Sequence, residues 1–367
     1  MSWWEINNAE SIDSPALVIY PDRVQENINT LISKVADISL LRPHVKTNKS
    51  PEASSMMIAS GIRKFKCATI AEAEMLGSVG APDVLLAYQP TGPKAKRLAE
   101  LAHRFPETKF SCLLDNLSSS EHLGSVMEQS KIVLDVFIDL NVGMNRTGTD
   151  VNTAFDLFKS LLSIKGIRPI GLHAYDGHLR DPDLAIRKKQ CDDAFQQVEM
   201  LAGKIKSHLG IEVVIVAGGS PTFPIHAERK TVECSPGTFI YWDSGYASIL
   251  KEQEFNFSAV VLSRVISKPS EGILCLDLGH KSIASENPLE KRVTFLNGPE
   301  LIPVGQSEEH LVVKTDHWND YHVGQLLYGI PYHVCPTVAL YDAAWTVSKK
   351  NITGKWTAPA RSRQLTV

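Results

Sequence analysis

The chain has few cysteines for its length, and none of them lie close together. Its six cysteines are scattered through 367 residues without a C-x-x-C pair (Cys67, Cys112, Cys191, Cys234, Cys275 and Cys335). In a chain of this size, scattered cysteines suggest reduced thiols rather than a disulfide framework. Reduced thiols are typical of the cytoplasm, and the sequence therefore predicts a cytoplasmic protein.

The sequence also lacks a charge excess and a long hydrophobic run. Its formal net charge is −3, so no broad basic surface for nucleic acid or a membrane is expected. No window approaches the length of a membrane span, and the first ten residues, MSWWEINNAE, lack the basic and apolar regions of a signal peptide. With 43% hydrophobic and 22% charged residues, the chain can form two globular cores.

The first two-thirds of the chain alternates between strand-like and helix-like runs. Starting with the short run that ends at Lys46, eight strands can be counted; the other seven are Phe65–Thr69, Val84–Ala87, Phe110–Leu114, Ile132–Leu140, Ile167–His173, Val213–Ala217 and Thr231–Cys234. Polar residues follow nearly every strand, which favours a TIM-type (β/α)8 barrel over a doubly wound open sheet.

The pattern of apolar and polar residues changes after about Ser244. Short alternating runs separated by turns predict a mostly antiparallel β domain. The predicted fold class is therefore α/β, with an N-terminal barrel over residues 14–244 and a C-terminal β domain over residues 245–367, which residues 1–13 are expected to join. Ala16–Tyr20 reads as an extra strand before the barrel count begins.

Lys46 lies at the end of the first barrel strand. A lysine at a strand mouth can form a Schiff base with a carbonyl cofactor or substrate, provided that it is partly desolvated or near other cations. Arg42, His44 and Lys49 could supply such a positive field. The alternative interpretation is a solvated surface lysine.

Two glycine-containing turns follow the last two predicted strands. They are Gly218-Gly219-Ser220 and Gly237-Thr238. Backbone N–H groups of such turns bind anions, and the phosphate sites of barrels lie after the seventh and eighth strands. The turns therefore predict a phosphate site, with plain tight turns as the alternative.

Two further strand ends carry candidate polar groups. Arg146 follows the most apolar strand and could contact a cofactor ring or cover the barrel rim. The segment His173–His178 holds two imidazoles, the Tyr175 phenol and the Asp176 carboxylate, which suit general acid–base chemistry. A hydrogen-bonded loop cluster is the alternative for this segment.

His333 and Cys335 stand two positions apart near the end of the chain. On an extended backbone such residues point to the same face. An imidazole and a thiolate suit an ion such as Zn²⁺, although a chance pair and a buried free cysteine are common.

Taken together, these segments resemble the D-threonine aldolase and D-serine dehydratase family of fold-type III (alanine-racemase-like) PLP enzymes. The matching segments are R-P-H-x-K-T from Arg42, A-T-x-x-E-A-E from Ala68, D-x-N-x-G-x-x-R-x-G from Asp139, Y-x-G-H from Tyr175, G-G-S-x-T from Gly218, E-x-x-P-G-T from Glu233, D-x-G-x-K from Asp277, S-E-E-H from Ser307 and H-x-C-P from His333. They span most of the chain in order.

The resemblance implies a role for each candidate. Lys46 would bind pyridoxal 5'-phosphate (PLP) covalently, and His178 would handle the proton of a substrate hydroxyl group. The cofactor ring would be contacted by Arg146 or Tyr175, and a divalent metal (Zn²⁺ or Mn²⁺) would be bound by His333 and Cys335. The phosphate group would be bound by Gly218, Gly219, Ser220, Gly237 and Thr238. The family also implies a homodimer.

The resemblance further implies a D-β-hydroxy amino acid as the small-molecule substrate. Cleavage of Cα–Cβ would give glycine and an aldehyde, as in D-threonine aldolase. Loss of the α-proton and the hydroxyl would instead give an oxo acid and ammonia, as in D-serine dehydratase. The aldolase reaction is the favoured prediction. An amino-acid racemase and a non-catalytic PLP-binding protein are weaker alternatives, since no tyrosine base stands where a racemase has one and the C-terminal half is long for a PLP carrier.

Overall fold

The chain divides into two compact units. The computed structural model describes residues 2–366. The barrel unit comprises Leu31–Lys46, Ser54–Gly237 and the tail from Arg363, and the β unit comprises the chain up to Thr30 with Thr47–Ala53 and Thr238–Ser362. Among the described residues, no helix combines the length and the apolar character that a membrane crossing requires.

The strands are β1 (Ala16–Ile19), β2 (Lys64–Cys67), β3 (Asp83–Leu86), β4 (Lys109–Leu114), β5 (Leu134–Leu140), β6 (Ile167–Ala174), β7 (Val214–Ala217), β8 (Val232–Cys234), β9 (Ala259–Ser270), β10 (Ile273–Leu276), β11 (Val293–Phe295), β12 (Ile302–Gln306), β13 (Leu311–Lys314), β14 (Leu326–Pro331), β15 (Ala343–Ser348) and β16 (Asn351–Thr357). The helices are α1 (Pro21–Ser33), α2 (Pro51–Ala59), α3 (Ile70–Ser78), α4 (Pro93–Arg104), α5 (Leu117–Gln129), α6 (Val151–Leu161), α7 (Leu184–Leu209), α8 (Phe223–Ala227), α9 (Ser244–Ile249) and α10 (Val334–Val338). Single 3-10 turns occupy Ala9–Ser11, Ile38–Leu40, Thr238–Ile240, Leu289–Lys291, Trp318–Asp320 and Pro359–Arg361.

The barrel unit is built on a parallel sheet of seven strands. The strands follow one another from β2 to β8 in chain order, with α3 to α7 between successive strands from β2 to β7. The strand order never reverses, so the sheet has no topological switch point and the doubly wound alternative is wrong. The predicted barrel architecture is confirmed.

An extended segment, Leu41–Val45, occupies the eighth position. The Arg42 N–H donates to the Cys234 carbonyl at 2.9 Å, and the Val45 N–H donates to the Lys66 carbonyl at 2.9 Å. The segment thus contacts both β8 and β2 and closes the ring. The sequence predicted a strand here. The segment is not a regular strand, because Pro43 has no N–H to contribute to a ladder.

The barrel interior is apolar and tightly packed. Leu85, Leu113, Phe137 and Val216 form a buried cluster contributed by four strands. A Cβ atom on Gly171 would lie 2.5 Å from the Phe137 ring, so a glycine is needed to admit that ring. This packing fixes the strand ends on which the polar groups stand.

Helix α3 begins with a capping arrangement beside those strand ends. The Thr69 side chain accepts a hydrogen bond from the Glu72 N–H at 3.1 Å, and the Glu72 carboxylate accepts one from the Ala68 N–H at 2.7 Å. A Thr and a Glu three residues apart satisfy backbone donors that a helix N-terminus otherwise leaves open. The A-T-x-x-E segment is therefore explained by local structure.

The β unit contains one nine-stranded sheet. Its main path runs β12-β13-β10-β9-β1-β15-β16, while β14 pairs with β9 and β11 pairs with β14. Most pairs are antiparallel, as predicted, and β1 with β15 is parallel. Strand β1, predicted within residues 14–244, thus pairs in the β unit; the domain ranges 14–244 and 245–367 stay a prediction.

Candidate active site

A cavity of about 770 Å³ opens at the carboxyl ends of the barrel strands. Lys46 and Tyr175 line it, and the end of β5 contributes Asp139. Lys46 itself is half-buried, and its backbone N–H donates to the His44 imidazole at 3.2 Å. The structure therefore places the predicted lysine, partly shielded from solvent, at the wall of an open cavity.

Two positively charged side chains lie near the Tyr175 ring in this cavity. The Lys46 Nζ lies 5.8 Å from the ring centroid, and the Arg146 guanidinium lies 5.0 Å from it. A Cβ atom on Gly219 would come within 2.9 Å of the same ring, so the glycine allows the ring to lie against the loop. Three predicted residues, Lys46, Arg146 and Gly219, thus lie around the ring of a fourth, Tyr175.

The two predicted glycine turns also meet. The Gly237 N–H donates to the Ser220 hydroxyl at 3.3 Å, which links the loops after β8 and β7. Gly218 has a positive φ of +77°, and a Cβ there would lie 2.7 Å from the His226 ring. Gly218, Gly219, Ser220 and Gly237 therefore form one glycine-lined loop pair in the barrel unit. Thr238 is the first residue of the next segment of the β unit.

His178 is exposed and stands against the arginine loop. A Cβ atom on Gly143 would lie 3.0 Å from the His178 Nε2. The imidazole therefore lies beside the loop that carries Arg146, but it does not line the cavity that Lys46 lines. Its role stays a prediction.

His333 and Cys335 lie at the start of helix α10 in the β unit. His333 has an extended backbone and Cys335 is already helical, so the predicted extended H-x-C geometry is wrong. Pro336 explains the difference, since proline is tolerated in the first turn of a helix. The His333 Nδ1 lies 2.5 Å from the Glu286 carboxylate, and the Cys335 thiol lies 3.0 Å from the Thr47 hydroxyl.

The two donor side chains suit a metal ion in spite of that backbone. They interact directly with each other; burial alone would lower the pKa of His333, but hydrogen bonds with Cys335 and Glu286 raise it to about 9. A carboxylate on Nδ1 leaves Nε2 as the metal-binding nitrogen, which is the usual arrangement of a histidine ligand. The donor set of one imidazole and one thiol fits Zn²⁺.

Comparisons with known proteins assign the chain to a family. The model described as "Alanine racemase, N-terminal domain" matches residues 19–245, and the one described as "Putative serine dehydratase domain" matches residues 258–347. The first match covers more than half of the chain. This protein belongs to the alanine racemase-like family. The predicted membership of this PLP-dependent enzyme family is therefore confirmed.

Curated relatives and solved structures extend the similarity over nearly the whole chain. A D-threonine aldolase of Arthrobacter sp is 26% identical over 95% of this chain and 93% of its own length. A D-threo-3-hydroxyaspartate dehydratase of Delftia sp. (strain HT23) is 22% identical over 94% and 97%. The crystal structure of D-threonine aldolase from Filomicrobium marinum superimposes with a TM-score of 0.89 at 24% identity, covering 97% of this chain and 98% of that one.

PLP, the cofactor of the alanine racemase-like family, fits the barrel cavity. A half-buried lysine amine stands at its wall, cations surround an aromatic ring, and a glycine-lined loop pair lies behind that ring. The loop could accept a phosphate group through its backbone N–H groups. The pattern R-P-H-x-K-T has a different explanation at Arg42, whose guanidinium contacts Asp83 at 2.5 Å and Glu233 at 2.6 Å. Arg42 is therefore charge-compensated and does not supply the predicted positive field.

Lys66 is a cavity residue that the sequence-based reasoning missed. This lysine lies on β2, is 2% exposed and lines the same cavity as Lys46. Its Nζ lies 3.4 Å from the His173 Nε2, and the His173 Nδ1 lies 2.7 Å from the Asp139 carboxylate. A charged residue between the buried residues Phe65 and Cys67 was the available signal.

The partners of Asp176, which lie beneath the glycine-lined loop, were also missed. The buried Asp176 carboxylate accepts hydrogen bonds from the Thr222 hydroxyl at 2.6 Å, from the His226 imidazole at 2.8 Å and from the Cys191 thiol at 3.5 Å. Burial would raise the pKa of Asp176, but these hydrogen bonds hold it below its usual value; burial raises the pKa of Cys191. At Asp176 the structure therefore matches the alternative interpretation, a hydrogen-bonded cluster, and not an acid or base of the cavity.

The side chains of Asp176, Cys191 and His226 could themselves hold a metal ion. In the structure they satisfy one another by hydrogen bonding, and they connect the loop after β6 to α7 and α8. The chain therefore offers two candidate donor sets, this one in the barrel unit and His333 with Cys335 in the β unit. Metal analysis of variants can distinguish them.

Proposed function

We propose that this protein is a PLP- and divalent metal-dependent lyase that cleaves D-β-hydroxy amino acids, with D-threonine aldolase-like chemistry. The observation that supports this most is the cavity in which Lys46, Tyr175 and Arg146 meet. PLP, when bound, supplies an electron sink for breaking a bond at the substrate Cα. A divalent ion, when bound, supplies a Lewis acid for the β-hydroxyl oxygen.

The residues of the barrel unit have distinct proposed tasks. Lys46 offers the amine that bonds to the cofactor carbonyl carbon. The Tyr175 ring lies near that amine, with its centroid 5.8 Å from the Lys46 Nζ. Arg146 brings a positive charge within 5.0 Å of the ring centroid, which favours an anionic group of cofactor or substrate. Gly218, Gly219, Ser220 and Gly237 offer the phosphate site, and Thr238 is assigned to it from its motif.

The proton and the metal are assigned to other residues. His178 takes the proton of the β-hydroxyl group, since histidine is the side chain that most often acts as a general base. His333 and Cys335 hold the metal, with Glu286 orienting the imidazole through Nδ1 at 2.5 Å. A solved D-threo-3-hydroxyaspartate dehydratase in which a cysteine is replaced by alanine is in a metal-free form, and this supports a cysteine ligand here.

A dehydratase is the second candidate. The H-x-C pair resembles that of the zinc-dependent D-serine dehydratases, and the Delftia relative is a dehydratase of a β-hydroxy amino acid. Aldolase and dehydratase differ in which bond at Cα lies perpendicular to the cofactor ring. A homodimer and a cytoplasmic location are proposed with either reaction, from the family resemblance and the scattered thiols.

A substrate panel decides between these reactions. Purified holoenzyme is offered D- and L-threonine, D- and L-serine, D-threo-3-hydroxyaspartate and D- and L-alanine, with and without a chelator. Glycine plus aldehyde is scored separately from oxo acid plus ammonia. We expect metal-dependent release of glycine and acetaldehyde from D-threonine. Turnover of L-enantiomers alone, or of alanine, would overturn the substrate class and favour a racemase.

A further inference from the structure

Lys66 is a buried amine in the cofactor cavity to which the proposed reaction gives no task. It lies in the middle of β2, and 2% of its surface is exposed. Burying a lysine ammonium is costly unless an opposite charge or a hydrogen bond compensates it. A methionine of similar length would fill the same space without that cost, so packing alone does not account for an amine at this position.

The amine faces an imidazole that can exchange a proton with it. Its Nζ lies 3.4 Å from the His173 Nε2. The His173 Nδ1 lies 2.7 Å from Asp139, whose second oxygen accepts from the Gln89 amide at 2.9 Å. Because the carboxylate takes the Nδ1–H, the lone pair of Nε2 points at Lys66. Lys66, His173 and Asp139 therefore form a continuous chain of proton-bearing groups.

The same amine shares a cavity and an aromatic ring with the proposed cofactor lysine. The Nζ atoms of Lys46 and Lys66 lie 5.8 Å and 5.5 Å from the centroid of the Tyr175 ring, and both line one cavity. Burial lowers the pKa of Lys66 to about 7, and Lys46 contributes in the same direction. The charged and titratable groups that act on Lys66 from the surrounding elements are Lys46, Asp139, His173, Asp176 and Arg42.

A lysine can bond to a carbonyl carbon only after its ammonium has lost a proton. We propose that Lys66 is the proton acceptor for Lys46. The neutral Lys66 amine takes the proton that the Lys46 ammonium loses; one N–H bond breaks on Lys46, one forms on Lys66, and the total charge of the pair does not change. Lys66 then holds this proton beside His173. This inference rests on the proposal that Lys46 binds PLP.

The test is the rate at which the cofactor-free full-length chain binds added PLP, followed by visible absorbance from pH 6 to pH 10. Lys66→Met removes the amine at similar volume, and Lys66→Arg places a permanent positive charge at the same position, where it cannot accept a proton. We expect both variants to bind PLP about 10²-fold more slowly than the parent at pH 7 and at a similar rate near pH 10, since loss of general base catalysis costs about this much. Lys96→Met, at an exposed position of α4, is the control and should follow the parent.

Three outcomes separate this inference from the proposed function. A Lys66→Arg variant that binds PLP like the parent across the pH range would show that only charge is needed, and would overturn the inference. Borohydride reduction followed by peptide mapping should attach the cofactor to Lys46 in the parent and in Lys66→Met. Attachment elsewhere in the parent overturns the proposed function, whereas attachment to Lys46 with unchanged rates overturns only the role of Lys66.

A direct titration keeps the inference testable if a variant folds poorly. The side-chain 13Cε resonance of Lys66 in the full-length chain is assigned by its loss in Lys66→Met. We expect it to titrate in the neutral range, several units below the ordinary value of about 10.4 for lysine. A titration midpoint near that ordinary value would mean that Lys66 is charged at neutral pH and cannot accept a proton, which would refute the proposal.

Discussion

Replacing Asp176 should destabilise the barrel and loosen the glycine-lined loop. Its carboxylate is the shared acceptor for Thr222 at 2.6 Å and His226 at 2.8 Å, and both partners are fully buried. Asp176→Ala removes the carboxylate acceptor that both donors share, and His226 keeps only the Cys191 sulfur at 3.3 Å; an unsatisfied buried donor costs about 1–3 kcal/mol. We therefore expect a loss of about 2–6 kcal/mol in the free energy of unfolding of the barrel.

An exposed carboxylate on α7 provides the matched control. Asp193 contacts Lys189 at 2.7 Å, but both side chains are largely exposed to solvent. Such surface pairs contribute less than about 1 kcal/mol, so Asp193→Ala should have little effect. Denaturant unfolding of the three proteins at pH 7 gives the comparison through the midpoint and its slope.

Thiol labelling gives a local measurement of the same change. Cys191 donates to Asp176 and is completely buried, while Cys112 is completely buried on β4. In Asp176→Ala, the Cys191 peptide should react with a thiol reagent faster relative to the Cys112 peptide. Equal acceleration of both cysteines would indicate general unfolding, and no change in stability or labelling would refute the assigned role of Asp176.

The pH dependence follows from the direction of the pKa shift. The folded pKa of Asp176 lies below its usual value, so its stabilisation is present above the unfolded pKa of about 4 and is lost as the pH falls through the folded value. The difference between the parent and Asp176→Asn should therefore be largest at neutral pH and should shrink in acid. A difference that grows below pH 4 would contradict this.

Three further changes test the assigned site. Lys46→Ala should lose the visible absorbance of bound PLP, and in the parent borohydride should label Lys46; a label on Lys49 would contradict the assignment. Cys335→Ala should contain no metal by elemental analysis and should lose roughly a thousandfold or more in rate. Cys191→Ala should retain the metal and the parental rate. The opposite result would assign the metal to Asp176, Cys191 and His226 of the barrel unit. His178→Ala should retain colour and metal but lose about 10²–10⁴-fold in turnover on D-threonine and D-serine, since general acid–base removal costs this much; parental turnover on both would disprove its role.

The barrel was predictable because its signals are local. Each strand is a short apolar run, and each helix carries its own start and stop residues, such as Thr69 before α3. The strand bounds differ from the predictions by two residues or fewer. The exception is the segment before Lys46, where Pro43 prevents a regular ladder although the chain still closes the ring. The sequence therefore predicts which segments form strands more readily than the regularity of the segment that joins β8 to β2.

The part of the site that escaped prediction depends on partners far apart in the chain. Arg42 reads as a free cation, yet Glu233, 191 positions later, compensates it. Asp176 reads as a loop acid, yet it bonds to His226, 50 positions later. By contrast, the H-x-C error was local, since Pro336 already indicated the first turn of a helix. Long-range pairing, which no short motif encodes, separates the reactive groups from the structural ones.

That pairing also explains why the barrel cavity suits an anionic ligand. The charge of Arg42 is balanced by two carboxylates, and the Asp139 carboxylate is bonded to His173. Lys46 and Arg146 instead face one aromatic ring, whose quadrupole attracts cations weakly compared with a full negative charge. A phosphate-bearing cofactor and a substrate carboxylate would supply the missing charge. Lys66 faces the same ring, and its burial together with the charge of Lys46 favours its neutral form at a pH where an isolated lysine is protonated.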